Sequence, residues 1–101
     1  MKCTRTDLEN NEVTLQIEGS LDALTARNVR PIFDEVVAAK PKRVTVDLAE
    51  LNMIDSSGVG AIVSLFKRVK ADGGVFAVAK AHDQPLAVLK LLKLDRVLGV
   101  S

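Results

Sequence analysis

Met53-Ile54-Asp55-Ser56-Ser57-Gly58-Val59-Gly60 joins an expected strand, Arg43 to Leu48, to an expected amphipathic helix, and the fold is read outward from that junction. Val59, Ile62, Val63, Phe66 and Val69 recur at helical spacing, while Ser64, Lys67, Arg68 and Lys70 fall mostly outside the stripe. The two serines therefore stand where a helix begins. The first helical turn carries N–H groups without intrahelical partners and the positive end of the macrodipole, so a hydroxyl there can become a stabilised phosphate. The segment offers a switch more plainly than a catalytic site.

Upstream, Val13, Leu15 and Ile17 alternate with Thr14, Gln16 and Glu18, the period of a half-buried strand, and Gly19-Ser20 closes it. Lys2 to Leu8 fits a preceding edge strand joined through a turn at Asn10-Asn11, because Asn tolerates positive φ. Thr25 is the candidate N-cap of a first helix whose apolar positions are Val29, Ile32, Phe33, Val36 and Val37. Pro31 lies early enough in it for a tolerated irregularity, and Lys40-Pro41-Lys42 stops it. The order strand, helix, strand implies a right-handed crossover, with Val13–Ile17 parallel to Val44–Leu48.

Downstream, Asp72-Gly73-Gly74 ends the second helix, and Val75 to Ala79 reads as a strand of the buried type. Asp83-Gln84-Pro85 opens a third helix carried by Leu86, Leu89 and Leu92, and Val97 to Val100 fits a short last strand. The expected fold is α/β: a mixed, mostly parallel sheet of four to five strands packed against three helices. The 101 residues fit one domain, 1–101, since domains commonly run ~100–150 residues.

Composition excludes several functions. Apolar residues make up 48% of the chain with three Phe and neither Trp nor Tyr, which suits a tightly packed layer fold. A net charge of +1 without basic runs, and so few aromatics, argue against nucleic acid as the partner. No apolar run approaches the ~18 residues of a membrane span, and Met1-Lys2-Cys3-Thr4-Arg5 lacks the core of a signal peptide, so a cytoplasmic protein is expected. Cys3 has no disulfide partner, the lone His82 is expected as a solvated surface residue, and no metal site or cofactor is indicated.

Competing chemistries of the serine pair fail on pattern. A nucleophile elbow needs glycine two positions before the serine, and the chain has Ile54 and Asp55 there. His82, the one candidate base, falls in a different loop. Gly58-x-Gly60 begins a dinucleotide fingerprint, but Val63 stands where the third small residue belongs. What remains is plain helix capping by a serine, worth ~1 kcal/mol, or an exposed tip that a partner grips. Residue chemistry alone favours neither.

The chain resembles the STAS domain of the anti-sigma factor antagonist (anti-anti-sigma) family. The resemblance rests on Ile17-Glu18-Gly19-Ser20-Leu21-Asp22, Val44-Thr45-Val46-Asp47-Leu48, the loop Asp55-Ser56-Ser57-Gly58-Val59-Gly60, and Leu94-Asp95-Arg96-Val97. It implies that Ser56 is the phosphoacceptor of a partner that is both an anti-sigma factor and a serine kinase of the histidine-kinase ATPase type, with Ser57 as the alternative acceptor. It further implies a serine phosphatase that resets the switch, and partner contacts at Ser20, Leu21, Asp22, Asp55, Ser56, Ser57 and Gly58. The runner-up is an unphosphorylated STAS subunit of a larger assembly, in lipid transport or stress sensing. Members of the family continue into another helix after Leu-Asp-Arg-Val, whereas this chain stops at Ser101, so that helix is expected to be missing.

Overall fold

Val13, Leu15 and Ile17 point to one face of the central strand, and the register of its neighbours extends those residues into rows across the sheet. The computed structural model describes residues 1–100; Ser101, where the expected domain ends, lies outside the described residues. The elements are β1 (Lys2–Leu8), β2 (Glu12–Leu21), α1 (Ala23–Ala38), β3 (Arg43–Asp47), β4 (Leu51–Ile54), α2 (Ser56–Ala71), β5 (Val75–Ala79) and α3 (Asp83–Leu91). β1 and β2 form an antiparallel hairpin. Its turn holds Asn10 and Asn11 at φ of 66° and 61°, which their short polar side chains tolerate.

β2 pairs parallel with β3, and β3 parallel with β5. Val13, Val44 and Phe76 thus form one row and Leu15, Val46 and Val78 the next, all buried. The opposite face carries Thr14, Thr45 and Ala77, which are half-buried. β5 accordingly alternates between exposed or half-buried and buried positions, and is not the uniformly buried strand expected from its composition. Val97 to Val100 contributes a single parallel bridge, Val78 to Val100, instead of a strand.

The main departure lies between β3 and the serines. The expected strand to Leu48 ends at Asp47, whose carboxylate accepts the N–H of Ala49 at 2.9 Å and turns the chain. A separate strand, β4, then pairs parallel with the C-terminal end of β2. The register shifts between Gly19 and Ser20, where Gly19 adopts φ +89° and its N–H donates to Glu50 O at 2.9 Å. Turn chemistry of this kind is invisible to a search for alternation, because β4 supplies only Leu51 and Ile54 to the core.

α1 and α2 pack together over the buried rows through Ala26, Val29, Phe33 and Val36 from one and Val59, Ala61, Ile62, Leu65 and Val69 from the other. Pro31 sits inside α1 without ending it. In α2 the buried stripe includes Leu65, while Val63 and Phe66 pack at its margin. In α3 Pro85 and Leu89 are buried, and Leu92, expected inward, is exposed as the helix ends.

Candidate functional site

Parallel neighbours deliver their C-terminal ends to the same edge of a sheet. Leu21 of β2 lies opposite Ile54 of β4, so the loops that follow, at Asp22 and Asp55, stand side by side. Each aspartate caps a helix from extended backbone. The Asp22 carboxylate accepts the N–H groups of Leu24 at 3.1 Å and Thr25 at 3.0 Å, while the Thr25 hydroxyl accepts the Asp22 N–H at 2.9 Å. This reciprocal capping box replaces Thr25 as the expected N-cap, because the cap lies three residues earlier, at Asp22. The N–H of Thr25, foremost among several donors, holds the Asp22 carboxyl below its usual range.

Asp55 is the N-cap of α2. Its Oδ1 accepts the Gly58 N–H at 3.0 Å, and its Oδ2 accepts the Ala23 N–H of the neighbouring helix at 3.3 Å. Its own N–H donates to Leu21 O at 3.1 Å. One carboxylate thereby fixes the start of both helices relative to each other. The capping role considered for the serines belongs to this aspartate, and Ser56 and Ser57 become the first two helical residues. Ser56 is exposed, Ser57 half-buried, and neither hydroxyl has a hydrogen-bond partner within the domain among the described residues. Arg68 and Lys70 in the last turn of α2 complement the negative end of the helix dipole, whereas its first turn carries no acidic residue after the cap.

Of the remaining expected contacts, Ser20 and Asp22 lie on the same edge, with the Ser20 carbonyl accepting the Thr25 hydroxyl at 2.9 Å. Leu21 and Gly58 do not face outward. Leu21 is fully buried and Gly58 packs onto it, so these two shape the loop from beneath. Close packing explains Gly58 but not Gly60, where an added Cβ meets nothing within 4 Å.

Sequence reasoning passed over two apolar residues beside the serines. Leu24, 73% exposed in the first turn of α1, and Met53, 54% exposed on β4, flank the paired loops. Leu24 falls outside the buried stripe of α1 and Met53 outside the inward positions of β4, which is the signal that marks them. His82 is also more engaged than expected: Nε2 lies 2.7 Å from Ala49 O and Nδ1 contacts the Asp83 carboxylate. Asp83 first, then the Ala49 carbonyl, raises the imidazole above its ordinary value. Cys3 lies half-buried on β1, where burial pushes its thiol up.

Residues 5–101 match the family model of the STAS domain, and the chain belongs to that family. A candidate anti-sigma factor antagonist of Thermotoga maritima is 30% identical over 69 residues, 68% of this chain and 61% of that protein, so the match spans under two thirds of the relative's length. The anti-sigma F factor antagonist of Paenibacillus polymyxa is 26% identical over 87 residues, covering 85% of this chain and 74% of the relative. The anti-sigma factor antagonist SpoIIAA in its unphosphorylated form superposes with a TM-score of 0.82 at 16% identity, over 99% of this chain and 86% of that one. Bacillus SpoIIAA in its phosphorylated form gives 0.80 at 16% identity, over 99% and 89%. At that identity the likeness shows the fold. No helix among the described residues is long and apolar enough to cross a membrane.

Proposed function

We propose that this chain, a single STAS domain over residues 1–101, is a cytoplasmic anti-sigma factor antagonist in a partner-switching pathway. The unphosphorylated form binds an anti-sigma factor that is itself a serine kinase of the histidine-kinase ATPase type, and so frees that kinase's client. Phosphorylation of Ser56 ends the binding, and a serine phosphatase restores it. The carrying observation is that Asp55 caps α2, which leaves the exposed Ser56 hydroxyl unused by the fold.

The electrostatics support the direction of the switch. A phosphate brings about −1.5 to −2 charges. At Ser56 it would stand beside Asp55 and near Asp22, turning the tip of the loop strongly anionic and costly to desolvate under a partner. A penalty of ~3–4 kcal/mol weakens an interface by two to three decades. The partner face comprises Ser20, Asp22, Asp55, Ser56 and Ser57, with Leu24 and Met53 as its apolar anchors. Phosphopeptide mapping after incubation with the cognate kinase and ATP tests the reading: label on Ser56 supports it, label on Ser57 moves the acceptor by one residue, and label on neither overturns it.

A further inference from the structure

The edge of β4 that faces away from β2 is met by a side chain. Ile54 N–H donates to Gln84 Oε1 at 2.8 Å, and Gln84 Nε2 donates to Ile54 O at 2.8 Å. A primary amide presents one acceptor and one donor, and here it exchanges with a single residue the same pair of bonds that an adjacent antiparallel strand would. The same helical turn also reaches the chain ahead of β4. His82 sets one ring nitrogen against the carbonyl of Ala49 and the other against the carboxylate of Asp83, both acceptors. The N-cap and first turn of α3 thus grip the chain at Ala49 and again at Ile54, the residue before Asp55. Buried Pro85 and Leu89 seat that turn in the core.

We propose that Gln84 is a positioning residue for the Ser56 loop, setting the angle at which the backbone leaves β4 for α2. The path is short and physical: Gln84 fixes both polar groups of Ile54, and the next residue, Asp55, must reach Gly58 and Ala23 with one carboxylate. Without the amide, Ile54 keeps its pairing with β2 through Leu21 but loses the restraint on its outer side. The phosphoacceptor role assigned to Ser56 rests on the function proposed above, whereas the positioning of the loop does not.

Gln84→Glu supplies the test, because a carboxylate still accepts the Ile54 N–H but opposes the Ile54 carbonyl, while a carboxylic acid can accept one and donate to the other. The charged groups around this turn are His82, Asp83 and Glu50, with Lys80 and Asp47 paired nearby, so every reading is taken against the unsubstituted protein at the same pH. At pH 7.5 the amide resonances of Asp55 to Gly58 are expected to move in Gln84→Glu, and exchange of the Asp55 amide to accelerate at least tenfold. At pH ~3.5, below the ~4.3 of an ordinary glutamate carboxyl, both should return toward the values of the unsubstituted protein at that pH. Gln84→Met, neutral and similar in length, should show the pH 7.5 pattern at both pH values. Labelling of Ser56 by the kinase should fall about tenfold at pH 7.5 in both Gln84→Glu and Gln84→Met. Unchanged resonances at pH 7.5, a uniform loss of protection without acid recovery, or an Ile54 amide that exchanges as fast as an exposed one in the unsubstituted protein would each overturn the assignment. Resonances that behave as stated with no labelling at all would leave Gln84 in place and remove the phosphoacceptor role.

Discussion

Gly58 lies against Leu21 so closely that a Cβ on residue 58 would stand 2.3 Å from the Leu21 carbonyl oxygen and 2.7 Å from Ile54 Cγ1. The carbonyl is backbone and already accepts the Asp55 N–H, so it cannot retreat without loosening the loop. Gly58→Ala should destabilise the domain by about 1–3 kcal/mol, the usual range for overpacking. Gly60, two residues further along the helix but facing open space, should respond oppositely: Gly60→Ala should stabilise by up to ~1 kcal/mol through helix propensity. Urea denaturation of the two variants checks both signs.

The cap on α2 discriminates between aspartate and serine. Asp55→Ala removes the acceptor for Gly58 and for Ala23 and should cost about 1–2 kcal/mol. Ser56→Ala should stay within about 0.5 kcal/mol of the unsubstituted protein, as surface substitutions do. Denaturation midpoints at constant slope decide the matter.

Binding should follow charge at residue 56. Ser56→Ala is expected to bind the kinase as tightly as the unsubstituted protein and to resist labelling, while Ser56→Glu, with part of the phosphate's charge, should weaken binding at least tenfold. Calorimetric titration with the kinase measures both.

Leu24 and Met53 expose apolar surface that the fold does not use. Leu24→Ser or Met53→Ser should weaken kinase binding about tenfold or more while leaving the denaturation midpoint nearly unchanged, since apolar anchors at the centre of an interface dominate its energy. A shift in midpoint equal to the loss of binding would assign these residues to stability instead.

Two groups give stability an opposite dependence on pH. Asp22 has its folded-state value lowered from 3.8, so its contribution is present above that unfolded value and is lost as pH falls through the lower, folded one. His82 has its value raised from 6.5, so its contribution is fully present below 6.5 and is lost as pH rises through the higher, folded value. The stability gap to Asp22→Ala should therefore narrow in acid below pH ~4, and the gap to His82→Gln should narrow as pH climbs above ~6.5. Thermal denaturation across pH 3 to 9 checks both slopes, about these reference values.

The sheet and its helices were legible because their signals are periodic: the alternation of Val13, Leu15 and Ile17 and the stripe from Val59 to Val69 each span several repeats. β4 was not, since four residues with two inward positions carry no period, and the Asx turn at Asp47 that creates the strand is a local hydrogen bond. The loop of the candidate site was found from its residue types. Which residue caps it was not, because Asp55 and the serines are equally competent caps and only the start of the helix decides between them. Gln84 left no trace in the sequence, as an amide in an exposed first turn looks the same whether or not a strand edge lies within its reach.

Because an aspartate closes α2, the atoms that hold this junction together and the exposed hydroxyl at residue 56 are different ones. Under the function proposed above, a phosphate at residue 56 would be added to and removed from an atom on which no hydrogen bond of the cap depends.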